Sequence, residues 1–418
     1  MYNGKVMYLI IGVVFVFGTL FFLDKYYVKN GNSVDISYIL LEDMVGKDID
    51  EIKIYADSNN IDLNIYYEYS FEVKEGVIIS QDIESGTKIY DGIGIGVVVS
   101  KGNVPDEIYE EYGVNELGNV PIMMYHGIVN VNGEETKYIG GNVDKDGYNR
   151  TVEAFKKDLE FYYSSGYRMI RLDDYVDGII DVELGMSPII LTFDDGNENN
   201  FKVLGEENGE LIIDPNCAVG VLEEFKKKYP DFGVTATFFV NSSLFNQDKY
   251  NEKILTWLIE NGYDVGNHTM THCDFKKISV VEVEREVGGL YQVLDRIITG
   301  NYVNIVALPF GSPYSKSHDN YGTILKGTYL NKDYETKAAL RVGWEAEKSC
   351  FDKNFDAGYL KRIRAYDNNG KDFDIEMNFR ILEKNRYISD GDINTIVVPF
   401  GAKDLVLDKY SKFKIITY

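Results

Sequence analysis

The sequence predicts an α/β protein whose main part is a distorted (β/α) barrel over residues 119–418, preceded by a small α+β domain and an apolar amino-terminal segment. Strand-like and helix-like stretches alternate from about residue 120 onwards, as in a mainly parallel sheet wrapped in helices. About 300 residues suit one such unit. Because 418 residues exceed what a single core organises, we expect more than one domain.

The composition is that of a folded protein and excludes nucleic acid as a partner. Hydrophobic residues make up 44% of the chain and the formal charge is −24. Nucleic-acid binding relies on clustered Lys and Arg that neutralise phosphates, and this chain is strongly acidic. The three cysteines, Cys217, Cys273 and Cys350, are widely spaced, so we expect small buried side chains rather than disulfides or a CxxC zinc site.

An uncharged stretch of 18 residues, VMYLIIGVVFVFGTLFFL, occupies residues 6–23. As a helix it would be about 27 Å long, close to the thickness of a bilayer's hydrocarbon core. We interpret it as a transmembrane anchor that follows a short cytoplasmic tail at residues 1–5. The alternative is a cleavable signal peptide, which needs a small-residue cleavage site. No alanine occurs before Ala56, so the anchor is favoured.

A small α+β domain is predicted at residues 35–102, after a polar linker at residues 24–34. Its first half has apolar side chains at helical spacing, at Ile49, Ile52 and Tyr55. Its second half contains the strand-like runs EGVIISQ and GIGVVVSKG, separated by the turn-forming segment ESGTKIYDG.

This small domain resembles a PASTA domain, the extracellular module of penicillin-binding proteins and wall-sensing kinases. The resemblance lies in Gly46, in the run from Gly76 to Lys88 and in the closing VVVSKG at residues 97–102, although the prolines usual in that family are missing. It implies that everything after the anchor is extracellular and contacts peptidoglycan. The alternative is that a single such domain serves only as a spacer.

The larger domain, residues 119–418, begins after an acidic linker at residues 103–118. Its strand-like runs cover residues 121–128, 188–196, 234–241 and 304–311. Its helix-like runs cover residues 151–166, 219–230, 252–262 and 281–297.

Two adjacent carboxylates, Asp194 and Asp195, end the apolar run PIILTFDDG. Burying both within a strand would be very costly unless they were paired or bound to a metal. We therefore expect them at the carboxyl end of the strand, where the active sites of barrels lie. The alternative is a solvated turn, since Asp-Gly is also a common turn dipeptide.

The pair His268 and His272, in the segment HTMTH, is the second candidate feature. In a turn of helix or a tight bend, residues four apart share a face, so both imidazoles can reach one ion. A carboxylate as third ligand completes a set of two nitrogens and one oxygen that leaves positions open, as in a catalytic metal site. The alternative is that the pair only caps a loop.

These segments together resemble the NodB-homology polysaccharide deacetylases, carbohydrate esterases that remove acetyl groups from N-acetylglucosamine polymers. TFDDG at residues 192–196 is similar to their first motif, HTMTH at residues 268–272 to their second, and ATFFV at residues 236–240 to the strand between them. The resemblance covers roughly residues 120–400.

The resemblance implies a role for each site residue. Asp194 would be the general base, while Pro309 and Phe310, in the segment ALPFGSP, would line the substrate groove and donate a backbone amide to the oxyanion. The implied cofactor is a divalent metal ion, zinc or alternatively cobalt or nickel. Its implied ligands are Asp195, His268 and His272.

Two departures from the family pattern concern the base and the acid. Ala307 stands where the family has the arginine that orients the base, and DINTIVVPFG at residues 392–401 lacks the usual catalytic histidine. However, His126 ends the apolar strand PIMMYHGI. Its context resembles the MYH motif of the poly-N-acetylglucosamine deacetylases, whose strand order is circularly shifted, and this implies that His126 is the general acid. The alternative is a hydrogen-bonded core histidine.

The resulting hypothesis is a hydrolase of carbon–nitrogen bonds other than peptide bonds. It would remove acetyl groups from N-acetylglucosamine in cell-wall polysaccharide, with peptidoglycan favoured, from a single-pass anchor in the cell membrane with most of the chain outside. One alternative is a deacetylase of secreted poly-N-acetylglucosamine. Another is a catalytically inactive wall-binding module, which Ala307 and the missing late histidine favour.

Overall fold

The structure is a computed structural model, and it divides the chain into two compact units, Met1–Glu111 and Tyr112–Tyr418. The transmembrane anchor predicted at residues 6–23 lies outside the described residues. No helix among those residues is long and apolar enough to cross a bilayer. The described residues are 38–70, 72–90, 92–132, 136–406, 408–410 and 413–418.

The first unit contains one helix packed on short strands. Asp48 caps helix α1 by accepting a hydrogen bond from the Asp50 N–H, and the buried face of this helix carries Ile49, Ile52 and Ala56. Strand β5 lies between β2, to which it is parallel, and β3, to which it is antiparallel. The elements are β1 (Tyr38–Leu40), α1 (Ile49–Ser58), β2 (Asp62–Glu68), β3 (Ile78–Gln81), β4 (Lys88–Tyr90), β5 (Gly94–Ser100) and α2 (Asp106–Tyr112).

The second unit alternates strands and helices, as the sequence predicted. The elements up to the HTMTH segment are β6 (Ile122–Tyr125), β7 (Ile128–Val129), β8 (Arg150–Thr151), α3 (Val152–Ser164), β9 (Tyr167–Met169), α4 (Leu172–Asp177), β10 (Ser187–Phe193), β11 (Val203–Glu207), β12 (Glu210–Ile213), α5 (Ala218–Lys228), β13 (Thr237–Val240), α6 (Asn251–Glu260) and β14 (Asp264–Asn267).

The remaining elements complete the sheet and add small two-stranded pairings outside it. They are α7 (Val280–Ile298), β15 (Ile305–Ala307), α8 (Tyr321–Leu325), β16 (Lys326–Tyr329), β17 (Lys332–Glu335), β18 (Ala338–Leu340), β19 (Ile363–Arg364), α9 (Ile375–Leu382), β20 (Thr395–Val398) and β21 (Lys414–Thr417). Among the described residues of this unit, the pairs outside the central sheet are β7 with β8, β11 with β12, β16 with β17 and β20 with β21.

The central sheet has eight strands, in the order β18, β15, β14, β13, β10, β6 and β19, with β9 also paired to β10. Every pairing is parallel. No continuous ladder of backbone hydrogen bonds joins β18 and β19, the two ends of this order, among the described residues. Leu360 connects them, because it exchanges hydrogen bonds with Ala339 and Arg341 beside β18 just before the chain enters β19. The predicted α/β fold with a parallel sheet is therefore confirmed, whereas the predicted barrel is an incomplete ring.

The two faces of the sheet belong to different cores. Successive residues of one strand enter different clusters: Met123 and Leu191 pack with residues of the surrounding helices, whereas Ile122 and Ile190 pack with Ala307 and other residues on the opposite face. Burial on both faces explains why these strands are continuous apolar runs rather than alternating ones. Two of the cysteines, Cys217 and Cys350, are buried as expected, and Cys273 is partly buried.

Candidate active site

The three predicted metal ligands lie together at the carboxyl edge of the sheet. Asp195 follows β10, while His268 and His272 follow β14. The Asp195 Oδ1 atom is 3.2 Å from His268 Nε2 and 3.3 Å from His272 Nε2. One ligand atom from each residue lies within 4.8 Å of the other two. A single ion can therefore reach all three.

The HTMTH segment is a tight bend and not a turn of helix, which decides between the two geometries that the sequence left open. Thr269 and His272 have φ angles of 67° and 55°, and Asp195 has a φ of 77°. Non-glycine residues rarely adopt such angles, and strained backbone of this kind clusters at functional sites. The bend turns both imidazoles towards the Asp195 carboxylate.

The tautomer of His268 follows from a backbone contact. Its Nδ1 atom lies 2.8 Å from the Ala307 carbonyl oxygen, which can only accept a hydrogen bond, so Nδ1 carries the proton. Nε2 then presents a lone pair towards Asp195. This nitrogen is buried without a hydrogen-bond partner among the described residues, in a side chain that is 1% exposed.

These residues fit a divalent metal ion. A lone pair and a carboxylate oxygen that face each other at 3.2 Å repel unless a cation or a proton lies between them. Two imidazole nitrogens and one carboxylate form a donor set that suits zinc and neighbouring transition ions. Burial would raise the pKa of Asp195, but the imidazoles of His268, His126 and His272 outweigh it and hold that pKa well below its usual value.

Asp194, the predicted base, is buried beside the metal ligands and paired with an arginine. Its two carboxylate oxygens accept hydrogen bonds of 2.7 and 2.6 Å from the two terminal nitrogens of Arg362. Burial alone would raise the pKa of Asp194, but the Arg362 guanidinium and the imidazoles of His268 and His126 outweigh it and lower that pKa. The carboxylate is therefore ionised at neutral pH.

Arg362 is the site residue that sequence reasoning missed. The resemblance to the deacetylase family predicted an arginine at position 307, but Ala307 contributes only its backbone carbonyl group. The arginine at the site is instead Arg362, the residue just before β19, which also donates to the Arg341 carbonyl and the Thr192 hydroxyl. One sequence feature could have pointed to this role. Arg362 begins the short strand-like stretch RIRAY, and an arginine that is buried in a strand requires an anionic partner.

The structure places His126, the predicted general acid, at the same edge. Tyr125 in β6 is paired with Phe193 in β10, so His126 and Asp194 are the next residues on neighbouring strands. The His126 Nδ1 atom is buried without a hydrogen-bond partner in the described part of the chain. Burial lowers the pKa of His126, and the carboxylates of Asp194 and Asp195 oppose this only in part.

Two asparagines that the sequence did not single out hold the backbone around His126. The Asn200 side-chain amide donates to the His126 carbonyl at 2.6 Å. The Asn199 side-chain carbonyl accepts a hydrogen bond from the Ile128 N–H at 3.2 Å. Both asparagines belong to the loop that follows Asp194 and Asp195, so this loop ties β6 to β10 at the site.

The predicted groove residues Pro309 and Phe310 lie beside the HTMTH segment. They form a short 3-10 turn after β15, in which Pro309 is buried and Phe310 has a φ of 59°. The Phe310 ring is 54% exposed and lies edge-on to His272, with 4.6 Å between the ring centres. Within the described residues, the Phe310 N–H has no hydrogen-bond acceptor.

Comparison with family models agrees with this arrangement. Residues 181–325 match the model described as polysaccharide deacetylase, and residues 39–101 match the PASTA domain model. The chain contains a polysaccharide deacetylase domain and a PASTA domain. The matched region includes Asp194, Asp195, His268, His272 and Phe310. The protein is accordingly a hydrolase of the carbohydrate esterase class.

Several solved deacetylase structures are similar to parts of this chain. The Streptococcus pyogenes deacetylase PplD in complex with acetate is 19% identical, with 60% of this chain and 94% of that chain covered and a TM-score of 0.44. The BpsB deacetylase domain from Bordetella bronchiseptica is 9% identical, with coverages of 60% and 97% and a TM-score of 0.36. The peptidoglycan deacetylase PdaC from Bacillus subtilis is 18% identical, with coverages of 47% and 82% and a TM-score of 0.26.

Proposed function

We propose that this protein uses a divalent metal ion to remove acetyl groups from N-acetylglucosamine in cell-wall polysaccharide, with peptidoglycan as the favoured substrate. The observation that carries the proposal is the buried lone pair of His268 Nε2, which faces Asp195 at 3.2 Å beside the ion pair of Asp194 and Arg362. This combination supplies a cation site next to an ionised, oriented carboxylate. Metal-assisted hydrolysis of an acetamide uses both.

Asp195, His268 and His272 would hold the metal ion, with zinc favoured and cobalt or nickel as alternatives. When bound, such an ion acts as a Lewis acid on the acetamide carbonyl and makes the attacking water more acidic. The Ala307 carbonyl keeps His268 in the tautomer that leaves Nε2 free. This contact is made by the backbone, so it does not depend on the side chain at position 307.

Asp194 accepts the proton from the attacking water in this proposal. Arg362 holds both carboxylate oxygens, so the orientation of the base is set before substrate arrives. The same arginine lowers the pKa of Asp194 against the effect of burial. A carboxylate with a low pKa accepts protons poorly from ordinary water, so Asp194 works only with water that is far more acidic than bulk water.

His126 donates a proton to the departing amine. Burial lowers the pKa of His126, which makes its protonated form a stronger acid. Because its strand neighbours that of Asp194, the two groups can act on the same reacting centre. Phe310, whose ring lies against that of His272, provides the backbone N–H that we assign to the developing oxyanion.

The PASTA domain supports a wall substrate and an extracellular location. We propose a single-pass protein of the cell membrane, with a cytoplasmic tail at residues 1–5 and an anchor at residues 6–23. The extracellular part would consist of two domains, residues 35–102 and residues 119–418, with their linkers. The PASTA domain then keeps the enzyme near its polymeric substrate.

The full chain, solubilised in a mild detergent, tests this proposal. It is stripped with a chelator, reloaded with zinc, cobalt or nickel, and incubated with peptidoglycan glycan or with poly-N-acetylglucosamine, and acetate is assayed. We expect metal-dependent acetate release from the peptidoglycan glycan. Release from poly-N-acetylglucosamine alone would support the exopolysaccharide alternative, which the position of His126 favours. No release from any glycan with any metal would favour an inactive wall-binding module.

A further inference from the structure

Arg364 lies on the same face of the sheet as the candidate active site. Residues two apart on a strand project from the same face. Ile363 packs into the helix-side core, so Arg362 and Arg364 both project from the opposite face, where Arg362 reaches Asp194. Arg364 is paired with Met124 in β6, two residues before His126. It therefore lies one step beyond Arg362, towards the carboxyl edge.

Two tyrosine rings hold the Arg364 guanidinium. Its central carbon is 3.9 Å from the ring centre of Tyr366 and 5.2 Å from that of Tyr148. The Tyr148 ring in turn lies 4.8 Å from the His126 ring, in an edge-on arrangement. A single aromatic side chain therefore separates Arg364 from the proposed general acid.

The loop that carries Tyr148 is folded to keep this ring in place. The Asp144 carboxylate accepts hydrogen bonds from the N–H groups of Tyr148 at 3.2 Å and Asn149 at 2.7 Å. Gly147 has a φ of +67°, and a Cβ there would lie 2.6 Å from the Cβ of Tyr366. Only glycine fits this position, so the loop packs directly against Tyr366.

The guanidinium of Arg364 has no anionic partner among the described residues. The neighbouring arginines do: Arg362 binds Asp194, Arg150 binds Asp158 and Asp367, and Arg341 lies 3.6 Å from Glu345. The chain has 67 acidic and 43 basic residues, so carboxylates are plentiful. Contacts with tyrosine faces orient the guanidinium plane but leave its N–H donors free.

We propose that Arg364 binds an anionic group of the glycan, a carboxylate or a phosphate ester, so that the preferred substrate is an acidic N-acetylated wall glycan and not neutral poly-N-acetylglucosamine. The inference rests on the proposed deacetylase function and specifies its substrate class. The planar fork of arginine matches both anions through paired hydrogen bonds. A glycan that contains muramic acid carries such a carboxylate close to its acetamido groups.

The test compares three glycans of equal length: a neutral N-acetylglucosamine oligomer, a muramyl glycan with free carboxylates, and an N-acetylglucosamine oligomer with a phosphate ester. Initial rates of acetate release are measured with the metal-loaded full chain and its R364Q and R364K variants. We expect R364Q to raise KM for the acidic glycan about tenfold or more, because a lost hydrogen bond to a charged group weakens binding by at least about that factor. The kcat, and both constants for the neutral oligomer, should change little. R364K should recover part of the loss.

A matched control is R380Q, because Arg380 lies on the exposed side of α9, away from the site, where it contacts Glu376 at 3.7 Å and the Gly370 carbonyl at 3.4 Å. It should behave like the wild type with all three glycans. Equal losses of R364Q on neutral and acidic glycans would overturn the proposal, since Arg364 would then act on His126 through Tyr148. A wild-type preference for the neutral oligomer would also overturn it. Dependence on Arg364 for only one acidic glycan identifies which anion is bound.

Failure of the proposed function can be separated from failure of this inference. If the wild type releases no acetate from any glycan, binding of the same three glycans is measured by calorimetry with the wild type and R364Q. Tighter binding of an acidic glycan that is lost in R364Q would still support recognition by Arg364. Equal binding by both proteins would contradict it.

Discussion

Arg362 and Asp194 form two parallel hydrogen bonds of 2.7 and 2.6 Å between side chains that are 0% and 1% exposed. This pair is central to the site, because Arg362 keeps Asp194, the proposed base, ionised and fixes its orientation. The two residues are 168 positions apart in the chain. Their pairing depends on the neighbouring positions of β10, β6 and β19 in the sheet.

Replacing Arg362 by methionine should impair both folding stability and catalysis. Asp194 would become an unpaired buried carboxylate, and breaking a buried ion pair costs about 3–5 kcal/mol. Chemical denaturation and acetate release measure the two effects. The double variant D194N/R362M should be more stable than R362M, because it leaves no unpaired charge. Equal stability of the single and double variants would contradict this account.

Asp194→Asn should separate metal binding from catalysis. The amide cannot accept a proton from water, so acetate release should fall by at least about 100-fold. The metal should still bind, because Asp195, His268 and His272 remain in place. Metal content by mass spectrometry and acetate release, measured on the same preparation, check both expectations. Loss of the metal would show that Asp194 is itself a ligand.

His268→Ala should lose the metal and the activity together. It removes one of three ligands, so metal affinity should fall by more than about 100-fold. Competition with a chromophoric chelator measures this affinity without any need for turnover. His318 provides the control, since it lies in a polar loop where it accepts a hydrogen bond from the Asn320 N–H. His318→Ala should bind the metal like the wild type.

His126→Ala should keep the metal but lose the proton donor. We expect acetate release from an unactivated glycan to fall by about 100-fold or more, which is the usual contribution of a general acid. A substrate with a better leaving group than an alkylamine needs less protonation, so its hydrolysis should fall much less. Full activity of His126→Ala on the glycan would remove His126 from the mechanism.

A buried carboxyl pair, Glu116 and Asp390, should make stability depend on pH. Burial, together with the proximity of Asp390, raises the pKa of Glu116 well above its usual value, and burial raises the pKa of Asp390 to about 6. A raised pKa in the folded state means that the folded state binds the proton more tightly. The stabilisation is therefore full below about pH 4 and is lost as the pH rises through about 6.

Asp390→Asn tests this linkage. The variant cannot ionise, so its stability relative to the wild type should increase between pH 4 and pH 7 by on the order of 2–3 kcal/mol. Urea unfolding at several pH values measures the difference. Glu376→Gln is the control, because Glu376 lies on the exposed side of α9. It removes a carboxylate that lies outside the buried pair, so it should not reproduce the pH dependence expected of Asp390→Asn.

All four predicted strand runs reached the central sheet, as β6, β10, β13 and β15. The run predicted at residues 188–196 overlaps β10, which begins one residue earlier and covers Ser187–Phe193, and the run at residues 234–241 contains β13 (Thr237–Val240). Among the strands that were not predicted, β18 has three residues and β19 has two. Strands this short contain too few residues to show a periodic pattern, and they form because the existing sheet offers them unpaired hydrogen-bonding groups.

The sequence by itself determined the parts of the site that lie within one local segment. Asp194 and Asp195 end a buried strand, and His268 and His272 stand four residues apart, so burial cost and spacing were enough to predict a metal site there. Whether HTMTH was helix or bend depended on the φ angles of Thr269 and His272.

Only the tertiary structure decided which distant residues complete the site. Arg362 holds Asp194, as the arginine predicted at position 307 would have done. The Ala307 carbonyl orients His268. The Tyr148 ring lies between Arg364 and His126. The physical reason is that neighbours in a parallel sheet are joined by long crossover connections. Strand order and register, and not separation along the chain, therefore determine which side chains meet.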